Sequence, residues 1–161
     1  MKVLKTLMLA TALTLPLANI PAMAADNAPL YERYDTLGMG VALGGYDPVA
    51  YFAEGGNDPA KGFVQRDYTY RGVTYRFNTD ANRELFKKNP EKYTPAYNGW
   101  CAWAMSELDA KVDIEPTSFD VYKGKLYVFY DHDDLHTHDL WRKDPDGMIA
   151  RANTNWKHHS K

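Results

Sequence analysis

Apolar residues along this chain fall into short runs set off by glycine, proline and charged residues, and the period of each run predicts an element. Phe63 to Tyr70 and Val73 to Asn78 are rich in aromatic and β-branched residues and flank Arg71-Gly72, which predicts two strands of a hairpin. Tyr68, Tyr70, Tyr75 and Phe77 alternate with polar residues, so they fall on one face of it. Phe119 to Tyr122 and Lys125 to Tyr130 repeat the pattern around Lys123-Gly124 and predict a second hairpin. Helical signals lie between and around these strands. Asp47 as cap and Pro48 at the first helical position predict a helix through Val49-Ala50-Tyr51-Phe52, stopped by Gly55 and Gly56. Thr79 or Asp80 caps a helix to about Asn89 that turns Leu85 and Phe86 inward, and Pro90 ends or restarts it. Leu135 to Lys143 and Met148 to Trp156 predict the last two helices, with Leu140, Trp141, Met148, Ile149, Ala152 and Trp156 facing inward. The sum is a small α+β domain with two β-hairpins and several short helices.

The start of the chain obeys different rules. Lys2 and Lys5, the apolar run from Leu7 to Ala18 and the small-residue site Ala22-Met23-Ala24 have the order of a cleavable export signal, with cleavage after Ala24. Pro16 and Asn19 interrupt the run short of the roughly 20 residues a spanning helix needs, so no membrane anchor is expected after cleavage. This divides the chain into a signal at 1–24, an arm at 25–43, a domain at 44–156 and a tail at 157–161, and predicts a periplasmic or secreted protein. The chain carries a formal charge of −2, and loss of the two signal lysines makes the remainder more acidic. Nucleic acid and anionic lipid both require a concentrated positive face, so neither is expected as a partner.

Several separated motifs then occur in order. Gly45-Tyr46-Asp47-Pro48-Val49-Ala50-Tyr51-Phe52, Tyr75-Arg76-Phe77, Asn82-Arg83-x-x-Phe86, Asn89-Pro90-x-Lys92-Tyr93, Gly99-Trp100-Cys101-Ala102 and Ala152-Asn153-x-Asn155-Trp156 together resemble the exported YHS-domain proteins of bacteria. The resemblance runs from about Gly44 to Trp156. It implies kinship with TRASH-like modules, which hold transition metals through cysteines. The positions of those cysteines look like Ala50, Asn78 and Asn82 here. Alanine offers no donor and asparagine only a neutral amide, so that thiolate set is absent.

Three groups of residues remain as candidates. Cys101 is the chain's single cysteine and excludes an internal disulfide. It stands either for a soft metal ligand or reactive thiol, or for a small buried hydrophobe packed under Trp100 and Trp103. Met105, four residues on, would share a helix face with it, a thiol–thioether pair suited to copper(I). Asp131-His132-Asp133-Asp134-x-His136-x-His138-Asp139 is the third: a helix starting near Asp133 would place His132 and His136 one turn apart, ready for zinc, nickel or copper(II). Against this stands a solvated helix start with exposed histidines. No G-x-S-x-G, H-E-x-x-H or phosphate-cradling loop occurs. The readings left open are a non-enzymatic periplasmic protein that binds or senses a transition metal, copper first, through Cys101; a protein-interaction or structural module with Cys101 in its core and an unknown protein partner; and a thiol-dependent enzyme.

Overall fold

The computed structural model describes residues 40–160. The expected export signal, its cleavage site and residues 25–39 of the arm lie outside the described residues, as does Lys161. Strands β1 (Phe63–Tyr70) and β2 (Val73–Phe77) pair antiparallel, with Tyr68 opposite Tyr75, and a bulge separates that pairing from Phe63 opposite Phe77. Helices α1 (Asp80–Lys88) and α2 (Pro90–Tyr93) follow, then a 3-10 turn at Ala96–Gly99 and helix α3 (Ala102–Glu107). Strands β3 (Glu115–Tyr122) and β4 (Lys125–Phe129) make the second hairpin, β5 (Asp131–His132) and β6 (Leu135–His136) a very short third. Helices α4 (Thr137–Trp141) and α5 (Pro145–His159) complete an α+β fold. Among the described residues no helix is long and apolar enough to cross a membrane.

The aromatic pattern accounts for the core. Tyr75 and Phe77 are buried, and with Tyr68 and Tyr70 they surround the ring of Phe86, whose centroid lies 4.7 Å from Tyr75 and 5.2 Å from Phe77. Thr79 caps α1 by accepting the Asn82 N–H at 3.0 Å, which aims Phe86 into this cluster. A second cluster gathers on Trp141, against Tyr122, Tyr127 and Phe129 at 5.2–5.5 Å. Helix α5 is fastened to α3 there: the Asn155 amide donates to the Met105 and Ser106 carbonyls at 2.9 and 3.2 Å, and Arg151 pairs with Glu107 at 2.8 Å. The first donations satisfy carbonyls that a six-residue helix leaves open at its end.

Three expectations are corrected. Asp47 to Phe52 is a run of turns rather than a helix, leading into a 3-10 turn at Ala53–Gly55. Its cause is Asp47, fully buried, whose carboxyl group accepts from Val49 N–H at 2.8 Å but also from Asn78 N–H at 2.9 Å and the Asn82 amide at 2.8 Å. A carboxyl group tied to two distant segments cannot serve as a simple helix cap. The helix expected to start near Asp133 starts at Thr137 instead, because Asp133 takes a left-handed φ of 51° and turns the chain back as β5–β6. Strand β3 begins at Glu115, earlier than its apolar run suggested, and includes Pro116, whose carbonyl accepts the Tyr51 hydroxyl at 2.9 Å. Val41, Ala42 and Leu43, at the end of the arm, are buried, and Val41 bridges Thr74.

Candidate functional site

Cys101 is fully buried at the N-terminal end of α3, with its backbone N–H donating to the Val112 carbonyl at 3.0 Å. Its sulfur accepts the Ala104 N–H at 3.5 Å and lies 3.5 Å from Thr137 Oγ1. Thr137 gives its single hydroxyl proton to the Tyr130 carbonyl at 2.5 Å, so in the Cys101–Thr137 contact the thiol S–H is the donor. The sulfur therefore has its proton and a lone pair both engaged by protein. Above it lies a cavity of about 140 Å³, walled by Trp103, Leu108, Val112, Tyr130 and Leu135. The wall is almost wholly carbon. Leu108 and Leu135, at 57% and 43% exposure, stand at the surface beside it.

Of the two tryptophans expected over the thiol, only Trp103 walls the cavity. Trp100 is 8% exposed, and its indole N–H has no partner among the described residues. Met105 lies on α3 with Cys101 at the helix's N-cap, yet it packs in the Trp141 cluster while Cys101 packs in the Phe86 cluster. His132 and His136 sit on paired strands, His132 opposite Leu135 and His136 opposite Asp131. Side chains alternate across a strand, so the two imidazoles project to opposite faces instead of sharing a helix face. His136 Nδ1 bonds Asp131, whose carboxyl raises the imidazole's pKa, and His132 rests edge-on to Tyr130. Neither meets Cys101 through any contact described above.

His138, for which the sequence indicates no ligand role, is the histidine the fold encloses. It stacks on Phe129 with ring centroids 4.7 Å apart, and its Nε2 lies 3.6 Å from Asp120. Burial lowers its pKa, with Arg142 acting in the same direction. Among the described residues no group of three or more His, Cys, Asp and Glu side chains converges as a metal-holding set. A copper ion at Cys101 would find one soft donor, a hydroxyl and an N–H, and an N–H cannot ligate. Asn78 and Asn82, which stand where the YHS resemblance expects thiolates, do come together: their side chains bond at 3.1 Å and both residues donate to Asp47. These donors close a knot around a carboxyl group. No family model, curated protein or solved structure matches this chain.

Proposed function

We propose that this domain is a non-enzymatic periplasmic binding module, related to the exported YHS-domain proteins, that docks a partner protein through the cavity above Cys101. One observation carries the reading: the sulfur is fully hydrogen-bonded inside, and the space over it is a carbon-walled socket with two exposed leucines beside it. A thiol so engaged serves as a floor. Exposed apolar surface beside a pocket is what a partner's anchor side chain covers. Asp109, Asp113, Asp131 and Asp134 each neighbour a wall residue in the chain, as does Lys111; Asp109 is bonded to His158 and His159 and Asp131 to His136, which leaves Asp113 and Asp134 as the acidic groups of the surround. The matching occupant is a protein segment that presents one leucine-sized side chain between lysines or arginines.

A synthetic peptide with a central leucine flanked by lysines, titrated against tryptophan fluorescence, tests this. Binding should weaken at least tenfold with Leu135→Asp in the domain, and also when the peptide's leucine becomes alanine or its lysines become glutamates. Binding that ignores Leu135→Asp would remove the socket from the account.

Copper held at Cys101 is a second reading, and the place of the sulfur in the cavity wall favours it. Protein exported into the periplasm and assayed for bound metal decides it. Equal copper in wild type and Cys101→Ala would end the role of Cys101.

A further inference from the structure

A larger cavity, about 290 Å³, lies in another part of the molecule and is independent of Cys101. Its walls combine aromatic rings with fixed polar groups, the composition expected of a small-molecule site. Tyr97, Tyr127 and Trp156 form the aromatic part, with the Tyr97 ring centroid 6.1 Å from Tyr127 and 6.0 Å from Trp156. Asn153 accepts the Tyr97 hydroxyl through Oδ1 at 3.2 Å, and its NH₂ has no partner among the described residues. Two consecutive residues of the wall, Tyr97 and Asn98, hold left-handed backbone angles, φ 51° and 54°. For a tyrosine that conformation is strained, and strain of this kind gathers at binding sites.

The charge inside the cavity indicates the ligand. Lys125 is half-buried, and its ammonium donates to the Thr94 carbonyl at 2.7 Å and the Glu91 carbonyl at 3.3 Å. Among the described residues no carboxylate pairs with it. The nearby Glu91 carboxylate is already engaged, by Arg71 at 2.7 Å and the Tyr70 hydroxyl at 2.7 Å. Lys125 thus holds a third N–H against a wall of rings, and the Glu91 carboxylate, another wall residue, meets its charge only at longer range than a bonded pair. Desolvation lowers its pKa, and the Glu91 carboxylate offsets this only in part.

We propose that this cavity binds a small hydroxylated carboxylate of single-ring size, a uronic acid. The carboxylate meets Lys125, the apolar ring face lies against the aromatic wall, and the hydroxyls reach Asn153. Aromatic faces take the C–H face of a sugar, and a charge-assisted bond to a partly desolvated cation selects acid over neutral sugar.

Titration calorimetry of the exported protein with glucuronate, glucose and benzoate tests the assignment. Glucuronate should bind, glucose at least tenfold more weakly because it lacks the carboxylate, and benzoate at least tenfold more weakly because it lacks the hydroxyls. Lys125→Met, which keeps the aliphatic stem, should weaken glucuronate at least tenfold; Asn153→Ala, at an exposed helix position, keeps the test open should Lys125→Met fail to fold, and should weaken it severalfold. No binding of glucuronate, or binding unchanged in both variants, overturns the proposal. Benzoate binding as tightly as glucuronate overturns the sugar-acid class. Leu135→Asp should leave glucuronate binding unchanged, which separates this site from the Cys101 socket.

Discussion

Asp47 ties separate parts of this fold together. It is fully buried and organises three segments: its own turn, the end of β2 and the first turn of α1. Asp47→Ala takes the acceptor from one buried and one part-buried backbone N–H and from the Asn82 amide, and should cost about 3 kcal/mol, read from the urea midpoint. Cys101→Ala removes a hydrogen-bonded thiol from a packed site and should cost about 1–2 kcal/mol. In the native protein iodoacetamide should label Cys101 slowly, and urea should speed the reaction many-fold; rapid labelling without urea would contradict a bonded, buried thiol. The local Asp-Pro signal marks Asp47 as a helix cap, whereas in the fold it closes a run of turns. Its bonds to Asn78 and Asn82 were not, since nothing local marks a partner some thirty residues away.

At the scale of elements, the α3–α5 contact and the segment after β4 make opposite points about local pattern. Helix α5 extends beyond its apolar face at both ends, capped at its start by Asp144, which accepts the Gly147 N–H at 3.0 Å. Asn155→Leu would leave the last carbonyls of α3 without their donor and should lower stability by about 1–2 kcal/mol, measured by thermal or urea unfolding. The stretch from Asp131 to Asp139 reads as a helix start under both roles given to its histidines, and the left-handed turn at Asp133 makes a hairpin of its first half instead. That choice enclosed His138. With a pKa lowered by burial, His138 stabilises the folded state fully above its ordinary 6.5, and this contribution is lost as pH falls below that value toward the folded one. His136, raised by Asp131, has the opposite sign: its contribution is present below 6.5 and fades as pH rises through its folded value, and full exposure screens it. The urea midpoint should therefore drop between pH 7 and pH 5, and His138→Gln should flatten that drop; an equal slope in both proteins would refute the assignment.

For the whole molecule, the two cavities draw on different parts of the chain. The socket above Cys101 combines α3, the loop after it, the short third hairpin and the first residue of α4. The larger cavity combines the first hairpin, α2, the strained turn at Tyr97-Asn98, β4 and α5. Much of both walls, Trp103, Val112 and Tyr130 of one and Tyr97, Tyr127 and Trp156 of the other, packs on one of the two aromatic clusters, so a core mutation should disturb binding as well as stability. Phe86→Ala, at the centre of the first cluster, should cost about 3–5 kcal/mol by urea unfolding, whereas Leu135→Asp at the surface should change stability by less than about 1 kcal/mol.

Both long hairpins, α1 with its cap at Thr79 or Asp80 and the aromatic face around Phe86 followed from sequence alone, because strand alternation, turn residues and helix caps are local rules that neighbouring residues are enough to satisfy. Which groups would share a space was another matter. Met105 left Cys101, His132 and His136 parted, and Lys125 met Tyr97 and Asn153 only when separate elements packed around common rings. Contacts of that kind depend on how elements stack and on which buried polar groups must find partners, conditions that exist only once the chain is folded.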